Sequence, residues 1–124
     1  MKKLFILLSF VMVISILASC SPSNTTTDEN IEVDREIAIV GYTGSNVEDY
    51  RFEPEEIVLK RGETVRFKLE SDNAVSHGIQ FQGTKLTLSE RKTEVYTANQ
   101  VGEFVGRCNT LCGAGHATMT IKLI

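Results

Sequence analysis

From residue 36 onward, apolar positions recur in short runs with a period of two, broken every few residues by glycine, proline or charged turns. Val65, Phe67 and Leu69 alternate with Arg66 and Lys68. Ile79 and Phe81 repeat the alternation, as do Leu86 and Leu88, and Val95 and Phe104 mark two further segments. Met119, Ile121 and Leu123 share one face of a final segment, with Thr120 and Lys122 on the other. Period two places successive side chains on opposite faces, the pattern of half-buried strands. Ile37, Ile39 and Tyr42 predict a first strand, residues 41–49 a loop, Tyr50-Arg51-Phe52 a segment leading into Pro54, and residues 57–59 another strand start. No apolar stripe of helical period is present. Seven or eight short strands in about ninety residues predict an all-β sandwich or small barrel.

The first twenty residues follow a different rule. Lys2 and Lys3 precede an apolar stretch running from Leu4 to Leu17, after which come the small residues Ala18 and Ser19. This is the layout of a secretory signal, and the stretch is shorter than the roughly 20 residues needed to span a bilayer. Leu17-Ala18-Ser19-Cys20 resembles the lipobox of bacterial lipoproteins, which implies that residues 1–19 are removed and that Cys20 carries a lipid anchor. Acylation also accounts for the odd third cysteine of an exported chain. Residues 20–35 are rich in Ser, Thr, Asn and acidic groups and bury too little to fold, so they are expected to act as a flexible tether. Residues 36–124 form the single domain that a chain of 124 residues with 42% hydrophobic content allows. The expected location is extracytoplasmic, on the cell membrane.

Charge narrows the function classes. The formal net charge is -3, and loss of Lys2 and Lys3 leaves eleven basic against sixteen acidic residues, a net of -5. No basic run exists, which argues against nucleic-acid binding.

The chemistry is concentrated near the end, in Cys108-Asn109-Thr110-Leu111-Cys112-Gly113-Ala114-Gly115-His116-Ala117-Thr118-Met119. Two thiols, an imidazole and a thioether within twelve residues make a soft ligand set suited to copper. Beyond the signal segment the chain has two histidines, His77 and His116, a single methionine, Met119, and the cysteines Cys108 and Cys112 besides Cys20. A mononuclear blue-copper ion needs one Cys. The second Cys suggests two coppers bridged by both thiolates, each completed by one imidazole, with His77 reaching the site from a separate strand end. Other readings of the same residues are a disulfide between Cys108 and Cys112, a structural Cys2His2 zinc site, a Cys-His nucleophile pair, and a carrier that delivers copper rather than electrons.

The motif C-x3-C-x3-H-x2-M, together with Phe52-x-Pro54, the Gly62 turn and Gly102-Glu103-Phe104 ahead of Cys108, resembles the copper-binding domain of subunit II of haem-copper cytochrome oxidases, over about residues 36–124. The resemblance implies a cupredoxin-like Greek-key fold and a binuclear CuA centre. It implies that Cys108 and Cys112 bridge both coppers, that His77 and Met119 complete one, and that His116 and the main-chain carbonyl of Thr110 complete the other. It further implies electron transfer with a c-type cytochrome or a terminal oxidase as partner, by a monomer that is not an enzyme alone. The chain departs from that family in three respects: an expected lipid anchor in place of transmembrane helices, Thr110 where a Glu is common, and no Trp. The aromatic residues available in place of an entry-site Trp are Tyr42, Tyr50 and Phe52.

Overall fold

The computed structural model describes residues 31–124. Cys20, the signal segment and most of the tether lie outside them. Nine strands are present among the described residues: β1 (Arg35–Tyr42), β2 (Arg51–Glu53), β3 (Glu56–Ile57), β4 (Thr64–Ser71), β5 (Gly78–Phe81), β6 (Thr87–Ser89), β7 (Glu94–Thr97), β8 (Phe104–Cys108) and β9 (Thr120–Leu123). They form two sheets, ordered β2-β1-β4-β7 and β3-β9-β8-β5-β6. The strand count exceeds the expected seven or eight because the segment around Pro54 divides into two very short strands, β2 in one sheet and β3 in the other.

The alternation read from the sequence is the burial pattern. In β4, Val65, Phe67 and Leu69 are buried, and in β9 Ile121 and Leu123 are buried between exposed Thr120 and Lys122. The inner faces meet in one core that includes Ile39, Phe52, Ile57, Phe81 and Leu88. Fully burying side chains of this size contributes about 1.5–3 kcal/mol each. On the outer face of the first sheet Arg66 of β4 pairs with Glu36 of β1 at 2.7 Å.

β1 and β4 run parallel, Arg35 beside Val65 and Gly41 beside Ser71. The two strands enter at one pole and leave at the other, where β5 begins, β6 and β8 end, and β9 begins. The chain enters at the first pole: Asp34 N–H donates to Thr64 O at 2.8 Å, and Arg66 Nη2 donates to Ile31 O at 2.9 Å. The residues singled out for their chemistry collect at the second pole.

Candidate metal centre

A strand end and two loops build the site. β8 delivers Cys108 at its end, and β9 pairs antiparallel with it, Arg107 opposite Thr120. These two strands hold the ends of the loop 109–119, and Cys108 N–H donates to Met119 O at 3.3 Å. A 3-10 turn, His116–Thr118, returns the loop to β9. The third component is His77, the residue before β5, which arrives from the β4–β5 connection.

One ligand atom each of His77, Cys108 and Cys112 lie within 4.8 Å of one another. The two sulfurs are 3.5 Å apart, and both cysteines are free thiols. Cys112 Sγ lies 3.4 Å from Met119 Sδ and 3.6 Å from His116 Nδ1. The Cys108 thiol donates to the main-chain oxygen of Thr110 at 3.1 Å. The six residues singled out in the sequence are thus brought to one place, although Cys108 and His77 are separated by thirty-one positions and three intervening strands.

The burial is deep. His77, Cys108, Cys112 and Met119 are all buried, Met119 also being part of the core with Ile121, whereas His116 is only half-buried. Neither ring nitrogen of His77 has a hydrogen-bond partner among the described residues. A buried polar group left unpaired costs about 1–3 kcal/mol, so an imidazole in this position needs an acceptor or an electrophile. Two adjacent thiols and a thioether supply no good hydrogen-bond partner, whereas a soft metal ion would take both thiol sulfurs, the thioether and one of the two imidazole nitrogens together. The donor set therefore fits copper.

Burial governs the electrostatics of the site, favouring the neutral form of both Cys112 and His77. Burial, followed by the neighbouring Cys108 sulfur, pushes the Cys112 thiol up to about 12 in the metal-free protein. Burial also holds the His77 imidazole below its usual range, against the opposing pull of Glu90 and Asp72. The imidazole is thereby kept neutral, the state in which it ligates a metal.

Four supporting contacts were not anticipated from the sequence. Gly41 of β1 lies against the His77 ring, and the Phe52 ring meets that imidazole edge-on with centroids 5.9 Å apart. Tyr50 covers Gly113 and Gly115 of the ligand loop. His77 N–H donates to Glu90 Oε1 at 2.6 Å. A glycine inside a strand pattern is a signal of close approach, and Gly41 carried it. Of the aromatic residues considered for electron entry, Phe52 is fully buried and cannot meet a partner, while Tyr42 and Tyr50 are half-buried. Arg51 lies over the Tyr42 ring at 4.4 Å.

No family model matches the chain. Over 74 residues it is 31% identical to cytochrome c oxidase subunit 2 of Thermus thermophilus, an alignment taking in 56% of this chain and 54% of that protein. The chain thus spans about half the length of that curated relative. Its fold is similar to the periplasmic domain of subunit II of cytochrome oxidase (CoxB) of Bradyrhizobium japonicum, with a TM-score of 0.56 and 20% identity over 75% of this chain and 84% of that one. It is also similar to auracyanin A, a blue copper protein of Chloroflexus aurantiacus, with a TM-score of 0.52 and 16% identity over 72% of this chain and 96% of that one. The chain is a cupredoxin-like β-sandwich, homologous over the matched stretch to cytochrome c oxidase subunit II.

Proposed function

We propose that this chain is a membrane-anchored, extracytoplasmic electron-transfer protein whose centre is a binuclear, CuA-type copper site held by His77, Cys108, Cys112, His116, Met119 and the carbonyl of Thr110. The observation that carries the reading is the buried His77 imidazole, both nitrogens unpaired, beside two free thiols 3.5 Å apart. Copper bound there would supply a one-electron couple. The protein's part is to hold the donors still and dry: β8 and β9 fix the two ends of the ligand loop, Tyr50 covers its middle, and the sandwich core closes beneath it. A metal held by donors that cannot move would exchange an electron with little rearrangement.

The second thiol favours two ions over one, because a mononuclear site uses a single Cys. Lys2, Lys3, the apolar stretch that follows and Cys20 support export and lipid anchoring. Two acyl chains on Cys20 suffice for stable attachment. The partner is a redox protein such as a c-type cytochrome or a terminal oxidase, and the chain acts as a monomer without substrate turnover of its own.

The deciding experiment is electron paramagnetic resonance, with the visible spectrum and the copper-to-protein ratio, on residues 21–124 loaded with copper. Hyperfine splitting from one electron shared equally by two copper nuclei, at two coppers per chain, is the expected result. Splitting from a single nucleus at one copper per chain moves the assignment to a mononuclear copper protein or a copper-delivery protein. A colourless zinc-loaded or metal-free protein overturns the copper reading.

A further inference from the structure

The antiparallel pairing of β5 with β6 matches Ile79 with Leu88 and Gly78 with Ser89. In the same ladder Phe81 N–H donates to Leu86 O at 3.1 Å. Along an antiparallel pair every second residue points its N–H at the neighbouring strand, so Ile79 and then His77 turn theirs toward β6. One step beyond the paired residues, the position opposite His77 is Glu90. There the side chain supplies the acceptor: Glu90 Oε1 takes the His77 N–H at 2.6 Å. A carboxylate makes a shorter and stronger bond in this role than a neutral carbonyl.

The His77 ring itself is held only by packing. Its nitrogens have no hydrogen bonds among the described residues, Gly41 lies on one side and the Phe52 edge on another. In metal sites a ligating histidine is normally aimed by a hydrogen bond to its second ring nitrogen. Here neither ring nitrogen has such a bond among the described residues, and the residue's main-chain N–H is bound by Glu90. Glu90 is exposed at the end of β6, so its geometry is not needed to complete the core.

We propose that Glu90 is a positioning residue of the metal centre: through the His77 main chain it aims the imidazole at the thiols, and its negative charge beside the site holds the reduction potential down. The inference rests on the copper reading of the site. A negative charge near the centre favours the oxidised, more positive state, so its removal raises the potential.

The test compares Glu90→Gln and Glu90→Ala with the parent in the mature chain, metal-free and copper-loaded. Gln keeps an acceptor oxygen and loses the charge, so the copper spectrum is expected to stay as in the parent while the potential rises. Ala loses both, so the potential rises, the spectrum changes, and copper is lost to a competing chelator at about a tenfold lower chelator concentration, in line with the affinity cost at other supporting residues of metal sites. In the metal-free chain the His77 amide is expected to exchange its hydrogen several-fold faster in Glu90→Ala than in Glu90→Gln. Variants that lower only the melting temperature, with parental spectrum, potential and copper release, overturn the proposal and leave the copper reading standing. A parent chain that takes up no copper overturns that reading and this inference with it.

Discussion

Gly41 and His77 are in such close contact that a Cβ on residue 41 would lie 2.4 Å from the His77 Cδ2. β1 belongs to one sheet and His77 introduces a strand of the other, so the contact joins the two layers at the metal pole. A side chain at residue 41 has no route outward, because the imidazole is itself buried against Phe52.

Gly41→Ala is therefore expected to displace the His77 ring. Overpacking of this kind costs about 1–3 kcal/mol, and the displaced ligand should weaken copper binding as well. Chemical denaturation together with a chelator competition checks both effects. Parental stability and parental affinity would show that the ring has room to move.

The ligand loop is held in the same manner by Tyr50. A Cβ on Gly115 would lie 2.2 Å from Tyr50 Cγ, and one on Gly113 would lie 2.4 Å from the Tyr50 hydroxyl. Gly113 also has φ +126°, where L side chains are strained. Gly115 has φ -89°, so its intolerance is purely steric. Gly115→Ala should destabilise by about 1–3 kcal/mol, and much of that loss should disappear when Tyr50→Ala is added. A double-mutant cycle by urea unfolding measures the coupling, and additive effects would exclude the contact as the cause.

Metal-free protein should be most stable in a window near neutrality. An unfolded chain releases the Cys112 proton near the ordinary thiol value of about 8.5, whereas the folded thiol holds it to about 12. Stability contributed at Cys112 is thus present at lower pH and falls as pH rises above about 8.5 toward the folded value. The His77 imidazole is held low, so its contribution is present above about 6.5 and falls as pH drops below that. Urea midpoints across this range test the pattern: Cys112→Ser should flatten the alkaline limb alone. Copper uptake should release protons and quicken with rising pH, since the thiolate is the ligand.

Cys108→Ser, Cys112→Ser and His77→Ala should each convert or abolish the binuclear spectrum, because each removes a donor that no neighbour replaces. Parental spectra in all three would defeat the proposed centre.

Cys20→Ala is expected to leave the precursor unprocessed or to release the protein from membranes. Membrane fractionation with labelled fatty acid reads this directly. Unchanged processing and unchanged lipid labelling would remove the anchor from the proposal.

Much was legible before any fold was known. Period-two alternation in Val65-Arg66-Phe67-Lys68-Leu69 and Met119-Thr120-Ile121-Lys122-Leu123 specified strands and their buried faces, because a half-buried strand can satisfy such a pattern only one way. The spacing of Cys108, Cys112, His116 and Met119 placed these donors on one loop, since side chains within twelve residues can converge without help from distant parts of the chain. Soft donors in that number pointed to copper by their chemistry alone. Tertiary structure decided the remainder. Whether His77 reached the thiols depended on β5 lying beside β8, and that pairing joins residues remote in sequence. The contacts of Tyr50, Phe52 and Glu90 likewise cross strands and loops, for which no local pattern exists; Gly41 alone carried a local sign, a glycine inside a strand pattern. Sequence alone specifies which atoms can bind and which faces must be buried, because these are properties of residues and their nearest neighbours. The position of each ligand, and what holds it there, follows from the packing of two sheets, because only close packing brings distant segments within contact range.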